Sequence, residues 1–239
     1  MELLGPIVNG IGIIIGTLFG LFFSRIPERF KETIMSGIGL TVIIIGLSMG
    51  LASDRIIVIL LSLLTGAVIG ELFDLDEKLN RLGAYIEAKF NKDGKNESKI
   101  SEGFVTASLI FVIGALAVVG ALDSGLRGDH EILYTKALID GFVALVLTTT
   151  LGIGVIFSAV PVVLYEGGIA LFATQIDKFI PEDLLELFIE DMTATGGLLI
   201  VAIGLNLLKI TQIRVANLLP SLLTVGIVLY VYIQIESML

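Results

Sequence analysis

Long apolar runs separated by short charged patches are the main pattern of the chain. Eight stretches, near 5–23, 34–52, 56–73, 103–122, 131–149, 152–173, 193–209 and 215–235, are almost wholly apolar. Each is about as long as a helix must be to cross a hydrocarbon core roughly 30 Å thick. A membrane β-barrel would show alternating segments of about ten residues instead. The pattern predicts an all-α integral membrane protein of about eight transmembrane helices. Between the fifth and sixth stretches lies almost nothing but "TTTLGIG". That join predicts a tight hairpin, or a re-entrant break kept within protein at membrane depth.

Two polar segments have a period of their own. In "LDEKLNRLGAYIEAKF", Leu75, Leu79, Leu82, Ile86 and Phe90 recur every three to four residues, with Lys78, Arg81 and Lys89 on other faces. This predicts an amphipathic helix along the inner membrane surface, followed by a solvated linker, "NKDGKNESK". "IDKFIPEDLLELFIEDM" sets Asp177, Glu182, Asp183, Glu186, Glu190 and Asp191 against one lysine. Pro181, Glu182 and Asp183 suit the first turn of a short helix. The segment reads as a wet outer face that could also gather cations.

Composition narrows the class. Apolar residues make up 55% of the chain and charged ones 16%, with a mean hydropathy of +0.98. A soluble domain would need charge along nearly every helix. Cysteine is absent, which removes disulfides, thiol catalysis and cysteine metal sites. A net charge of −9 argues against nucleic-acid binding. The start, "MELLGPIVNG", lacks a basic n-region and runs into the first span, so no cleavable signal is expected. Of the fifteen basic residues, eleven fall in odd-numbered loops and three, Arg55, Arg127 and Lys178, in even ones. The positive-inside rule then puts odd loops in the cytoplasm and both termini outside.

Self-comparison reveals a repeat. "GLTVIIIGLSMGL" from Gly39 aligns with "GLLIVAIGLNLLK" from Gly197, and "LLSLLTGAVIG" at 60 with "LLPSLLTVGIV" at 218 after one insertion. "GIGIIIGTLFGLFF" at 10 echoes "GIGVIFSAVPVVLY" at 152. Spans 1–3 thus resemble spans 6–8, and the topology would invert one triplet relative to the other. Inverted repeats recur in transporters, with sites near the midplane. The organisation expected is one membrane domain over 1–239: repeat 1 at 5–73, amphipathic helix and linker at 74–101, an intervening helix pair at 103–149, and repeat 2 at 152–235. Gly12, Gly16 and Gly20, with Gly46/Gly50 and Gly66/Gly70, give GxxxG spacing for close helix packing. Packing within the subunit is the first reading and a homo-oligomer through these faces the second.

The candidate chemistry lies at membrane depth. Lys136 is the one basic residue of the fifteen placed within a span, and Asp140 follows one helical turn later. Asp140 is about nine residues into its span, roughly 14 Å deep. There an isolated carboxylate costs on the order of 3 kcal/mol. Lysine before an acid is the less favourable order on a helix, yet Lys136 can neutralise it. The functional reading is an ion or proton site at Asp140 with Lys136 as counter-charge. The structural one is a tie between helices, with Lys136 snorkelling outward. Glu166, Asn206, Asn217, Asn9 and Thr149 are further binding candidates. Asn9 and Asn206 could equally bridge helices, and Asn217 with Pro220 suggests a broken helix. Thr193 and Thr195 sit at the outer mouth of span seven. His130, the sole histidine, reads as solvated. No HExxH, GxSxG or phosphate loop occurs, and one histidine builds no multi-histidine metal site. Neither enzyme chemistry, nor a cofactor, nor a metal site is expected.

"SLIFVIGALAVVGALDSGLRGD", "LYTKALIDG", "LGIGVIFSAVPVVLYEGG" and "TGGLLIVAIGLNLLKITQIRVANLLP" resemble the bacterial membrane proteins of domain-of-unknown-function family 554. The resemblance covers essentially the whole chain and is most specific from 103 to 220. It implies a multi-span inner-membrane protein, often supposed to transport. The family's KxxxDG pattern matches Lys136, Asp140 and Gly141. The family carries glutamine where this chain has Glu166, which implies no shared acid at that position. Together the readings predict a small secondary transporter or channel for a cation, proton-coupled solute or small metabolite in the lipid bilayer. The alternative is a non-transporting scaffold or sensor.

Overall fold

A helix satisfies its own backbone hydrogen bonds, which apolar runs of this length require in lipid. The computed structural model describes residues 2–22, 28–90, 100–179 and 181–237, and no strand occurs among them. The linker at 91–99 and Arg25 lie outside the described residues. The helices are α1 (Leu4–Phe22), α2 (Glu28–Gly50), α3 (Ile56–Phe73), α4 (Leu75–Phe90), α5 (Ile100–Val112), α6 (Ala115–Leu126), α7 (Glu131–Leu151), α8 (Ala159–Phe179), α9 (Glu182–Leu207) and α10 (Ser221–Glu236). Short 3-10 segments, Gly152–Ser158 and Val215–Leu218, precede α8 and α10.

Six helical stretches are long and apolar enough to cross a membrane: Leu4–Phe22, Glu32–Gly50, Ile56–Phe73, Glu131–Ile176, Asp183–Leu207 and Val215–Glu236. A seventh arises if the pair α5–α6, bent by 63°, is one span. Large apolar side chains such as Phe22, Ile56, Leu72, Leu138, Leu164, Leu223 and Ile227 are exposed along these helices. Patches of that extent are unfavourable in water and suit a lipid-facing surface. The chain is an all-helical membrane protein.

The expected fourth span, 103–122, is broken: α5 ends at Val112 and Gly114 takes φ +141°. The acidic segment is not a separate short helix, since Glu182–Leu207 is continuous. Pro181 stands just before its first turn, and no proline follows within it. Asp191 is fully buried there, not on the wet face expected for it, because a basic partner described below reaches it. Asp183, Glu186 and Glu190 are exposed.

The chain divides into two compact units. The first comprises 1–38, 79–112 and 116–179. In it α1 lies against α7 along a glycine seam. A Cβ on Gly12 would come within 2.6 Å of the Ala137 carbonyl oxygen, and one on Gly16 would strike the Gly141 carbonyl. Such contact replaces the hydrophobic drive that lipid does not supply between helices. α1 also packs on α8 and on the 152–158 segment, and α5 covers that segment. Gly83 of α4 meets Ser101 closely, and Leu79 and Ile86 are half-buried while Leu82 is exposed.

The second unit comprises 39–78, 113–115 and 180–239. Here α2 and α9 pack through glycine with reciprocal contacts. A Cβ on Gly46 would meet Val201 N at 2.6 Å, and one on Gly204 would meet Ile43 Cγ1 at 2.6 Å. Likewise Gly39 faces the Gly204 carbonyl, and Gly197 the Gly46 carbonyl. In the repeat alignment Ile43 corresponds to Val201, Gly46 to Gly204 and Gly39 to Gly197, so each contact is the counterpart of another. α3 and α10 adjoin too: Thr224 donates to the Ser62 carbonyl (3.1 Å), and Gly66 abuts Ser221. The glycine faces named above as oligomer contacts are therefore filled from within the chain.

Candidate functional site

Four polar side chains from three helices of the first unit converge. Asn9 of α1 donates through Nδ2 to Asp140 Oδ2 at 3.1 Å and to Glu166 Oε1 at 2.8 Å. Lys136 of α7 donates through Nζ to Asp140 Oδ2 and to the Phe111 carbonyl of α5 at 2.9 Å. The same Nζ lies 3.3 Å from Glu166 Oε1. Asn9 and Glu166 are 0% exposed, Lys136 5% and Asp140 7%.

Local sequence explains the convergence. Lys136 and Asp140 share a face because four residues make about one helical turn. Glu166 reaches them because the chain reverses between α7 and α8. Twenty-six residues of straight helix would span about 39 Å, yet Asp140 and Glu166 share one amide donor. Gly152, at φ +73°, takes the left-handed backbone at the end of α7, a conformation that glycine adopts without steric cost. Gly154 packs directly on Ile100. The chain thus reverses through a 3-10 segment, Gly152–Ser158, held under α5.

Lys136 does not snorkel outward; it is buried on its partners. Its bond to Phe111 also serves one of the last carbonyls of α5, which have no helical partner at a helix end. The charges of the cluster do not balance. One ammonium faces two carboxylates, so the fully ionised cluster carries −1 in a buried setting. Burying such an excess costs several kcal/mol unless a proton or cation offsets it. Two buried oxygens, Asn9 Oδ1 and Glu166 Oε2, have no hydrogen-bond partner.

The other candidates stand apart. Asn206 ties the turn after α9, donating to the Ile213 carbonyl (2.7 Å) and accepting from Thr211 Oγ1 (2.8 Å) and Ile213 N (2.9 Å). Asn217 is buried and accepts from Asp76 N at 2.7 Å, holding the start of α4. Its backbone closely meets Gly70 of α3. Thr149 bonds back to the Val146 carbonyl at 2.7 Å. His130 is half-buried, its Nδ1 2.8 Å from Ser124 Oγ, so it is not simply solvated. Among the described residues, no group of three or more His, Cys, Asp or Glu could hold a metal ion.

A second buried charge lies in the second unit. Arg55 Nε donates to both Asp191 oxygens at 3.1 Å, and its Nη2 to Glu190 Oε2 (2.8 Å) and the Leu187 carbonyl (3.2 Å). Ser53 Oγ also donates to Asp191. Partial burial works against the Arg55 charge, and the bonds from Asp191 and Glu190 more than offset it, raising its pKa above the ordinary value. Sequence reading placed Arg55 in a loop and Asp191 on a wet face. The one available signal was a basic residue, one of three on a side otherwise rich in acids.

The uncharacterized membrane protein YdfK of Bacillus subtilis (strain 168) is 32% identical over 232 residues, which is 95% of this chain and 96% of that protein. The uncharacterized protein YqgA of Escherichia coli (strain K12) is 29% identical over 223 residues, 92% and 93% of the two chains. No solved structure matches the chain. A family model described as "Protein of unknown function (DUF554)" matches residues 4–230, and the chain belongs to that family.

Proposed function

We propose that the chain is a small secondary transporter or channel of the inner membrane, moving a cation, a proton-coupled solute or a small metabolite. One observation carries this reading: a buried cluster with one ammonium and two carboxylates on helices long enough to span a bilayer. Intramembrane ionisable groups of this kind mark ion and proton paths. The site is Asp140, Lys136, Glu166 and Asn9, near the midplane; Asn206, Asn217 and Thr149 hold the fold. No catalytic role is assigned.

Eight crossings follow if α7 and α8 each cross and α5–α6 crosses once. The reversal between Asp140 and Glu166 supports that count. The reciprocal contacts of α2 with α9 support the inverted repeat of spans 1–3 and 6–8, since aligned residues exchange places across the seam. Both termini then lie outside, and α4 rests on the cytoplasmic surface. YdfK is named a membrane protein, which accords with this location.

A scaffold or sensor is the second reading, favoured by the exposed acids Asp183, Glu186 and Glu190 on α9. Purified protein in liposomes, assayed with pH-, sodium- and potassium-sensitive dyes and a panel of small solutes, separates the two. Flux above protein-free liposomes supports transport. Silence across the panel, with the protein folded, supports the scaffold.

A further inference from the structure

We propose that Glu166 holds a proton in the resting protein, stabilised by the side-chain amide of Asn9, and that this proton is the ion the buried site exchanges. The inference rests on the ion site proposed above and narrows its cargo to a proton.

A carboxylic acid facing a primary amide can make two parallel hydrogen bonds: amide N–H to acid carbonyl, and acid O–H to amide carbonyl. The first is present, Asn9 Nδ2 to Glu166 Oε1 at 2.8 Å. The two atoms that the second would use, Glu166 Oε2 and Asn9 Oδ1, are the buried oxygens of this cluster without a partner. Two acceptors cannot satisfy each other. A proton on Oε2 supplies the missing donor, and native interiors rarely leave such atoms unpaired.

Charge leads to the same place. Asp140 Oδ2 accepts from both Lys136 and Asn9, so Asp140 and Lys136 form a neutral pair. Glu166 is the more distant acid from the ammonium, at 3.3 Å, and is 0% exposed. Protonating it makes the cluster neutral. The groups facing it are Lys136 and Asp140 from α7 and Asn9 from α1, and its chain neighbour Tyr165 interacts with it electrostatically. α5 adds only the Phe111 carbonyl, bound to Lys136.

A metal ion fits less well. It would have to displace the ammonium from Asp140 Oδ2, Glu166 Oε1 and the Phe111 carbonyl to gather several oxygens, whereas a proton moves none of them. On release of the proton, Lys136 is, among the described residues, the cation within reach of the new carboxylate. Lys136 also holds the end of α5, so proton exchange acts on the broken span through that side chain.

Infrared difference spectroscopy of the full chain in lipid nanodiscs tests this. A carbonyl band of a protonated carboxyl is expected at neutral pH, shifted in heavy water and unaltered by swapping sodium for potassium. It should be lost in Glu166→Gln, retained in the double variant Lys136→Met with Asp140→Asn, where no ammonium competes with the proton, and moved in frequency by Asn9→Leu. Absence of the band from folded wild type overturns the proposal. So does a band that survives Glu166→Gln, or one that Asn9→Leu leaves in place. A band without ion flux in liposomes would keep the proton site and sink the transport reading. Flux of another cation without the band would do the reverse.

Discussion

Asp140 lies thirteen residues before Ile153 and Glu166 thirteen after it, and the Asn9 amide donates to both. Two acids that are remote in sequence therefore face one another across the α7–α8 reversal, with α1 as the third wall. Among the described residues, Lys136 is the one cation placed between them. The behaviour of the site depends on that ratio of one to two.

Lys136→Met leaves the buried Asp140 carboxylate without its counter-charge. Removing one partner of a buried pair typically costs about 3–5 kcal/mol. The variant should therefore melt well below wild type in detergent. Adding Asp140→Asn should restore most of the loss, since a neutral amide replaces the unpaired acid. A double variant no more stable than Lys136→Met would show that the pairing is incidental.

Arg55 and Asp191 form the second test of buried charge. Asp191 is fully buried and Arg55 is its cation, so Arg55→Ala should destabilise by about 3–5 kcal/mol. Arg55→Lys should recover part of this, as lysine lacks the planar fork whose Nε meets Asp191 while Nη2 meets Glu190 and the Leu187 carbonyl. Thermal unfolding is followed by far-UV circular dichroism of the helices, because the chain has no tryptophan for fluorescence.

The glycine seam gives a steric prediction. A Cβ at Gly16 would strike the Gly141 carbonyl, whereas nothing lies within 4 Å of one at Gly168. Gly16→Ala should destabilise by roughly 1–3 kcal/mol as overpacking. Gly168→Ala should be neutral or stabilising by up to about 1 kcal/mol, the ordinary helix gain. Equal effects at the two positions would contradict the seam.

Much of this was legible from pattern alone. Apolar run length marked the helices, and glycine spacing marked the close seams, because both follow from local geometry. Lys136 and Asp140 stood out since a turn of helix pairs them. Glu166 was ranked low because its partners come from α1 and α7, and only the reversal at Gly152–Ser158 brings them together. Its equal spacing from the "GIG" turn was the available clue. The break at Gly114 was missed because hydropathy does not register backbone angles. Asp191 was misplaced because an acidic neighbourhood looks solvated until Arg55 is seen beside it. Asn206 and Asn217 drew notice as polar residues in oily runs, yet both satisfy backbone at helix ends.

Topology can be mapped cleanly, since the chain has no cysteine. Single cysteines at Asp129 and Ser237 should react with a membrane-impermeant maleimide in intact cells. One at Ala84 should react only after permeabilisation. The opposite labelling would invert the proposed orientation.

The most direct test of the central claim is cation flux through Asp140→Asn in liposomes, measured beside wild type at matched protein content. With its charged partner for Lys136 gone, the variant should lose flux while remaining folded. Flux that persists at the wild-type rate in folded Asp140→Asn would remove the buried cluster as the ion site.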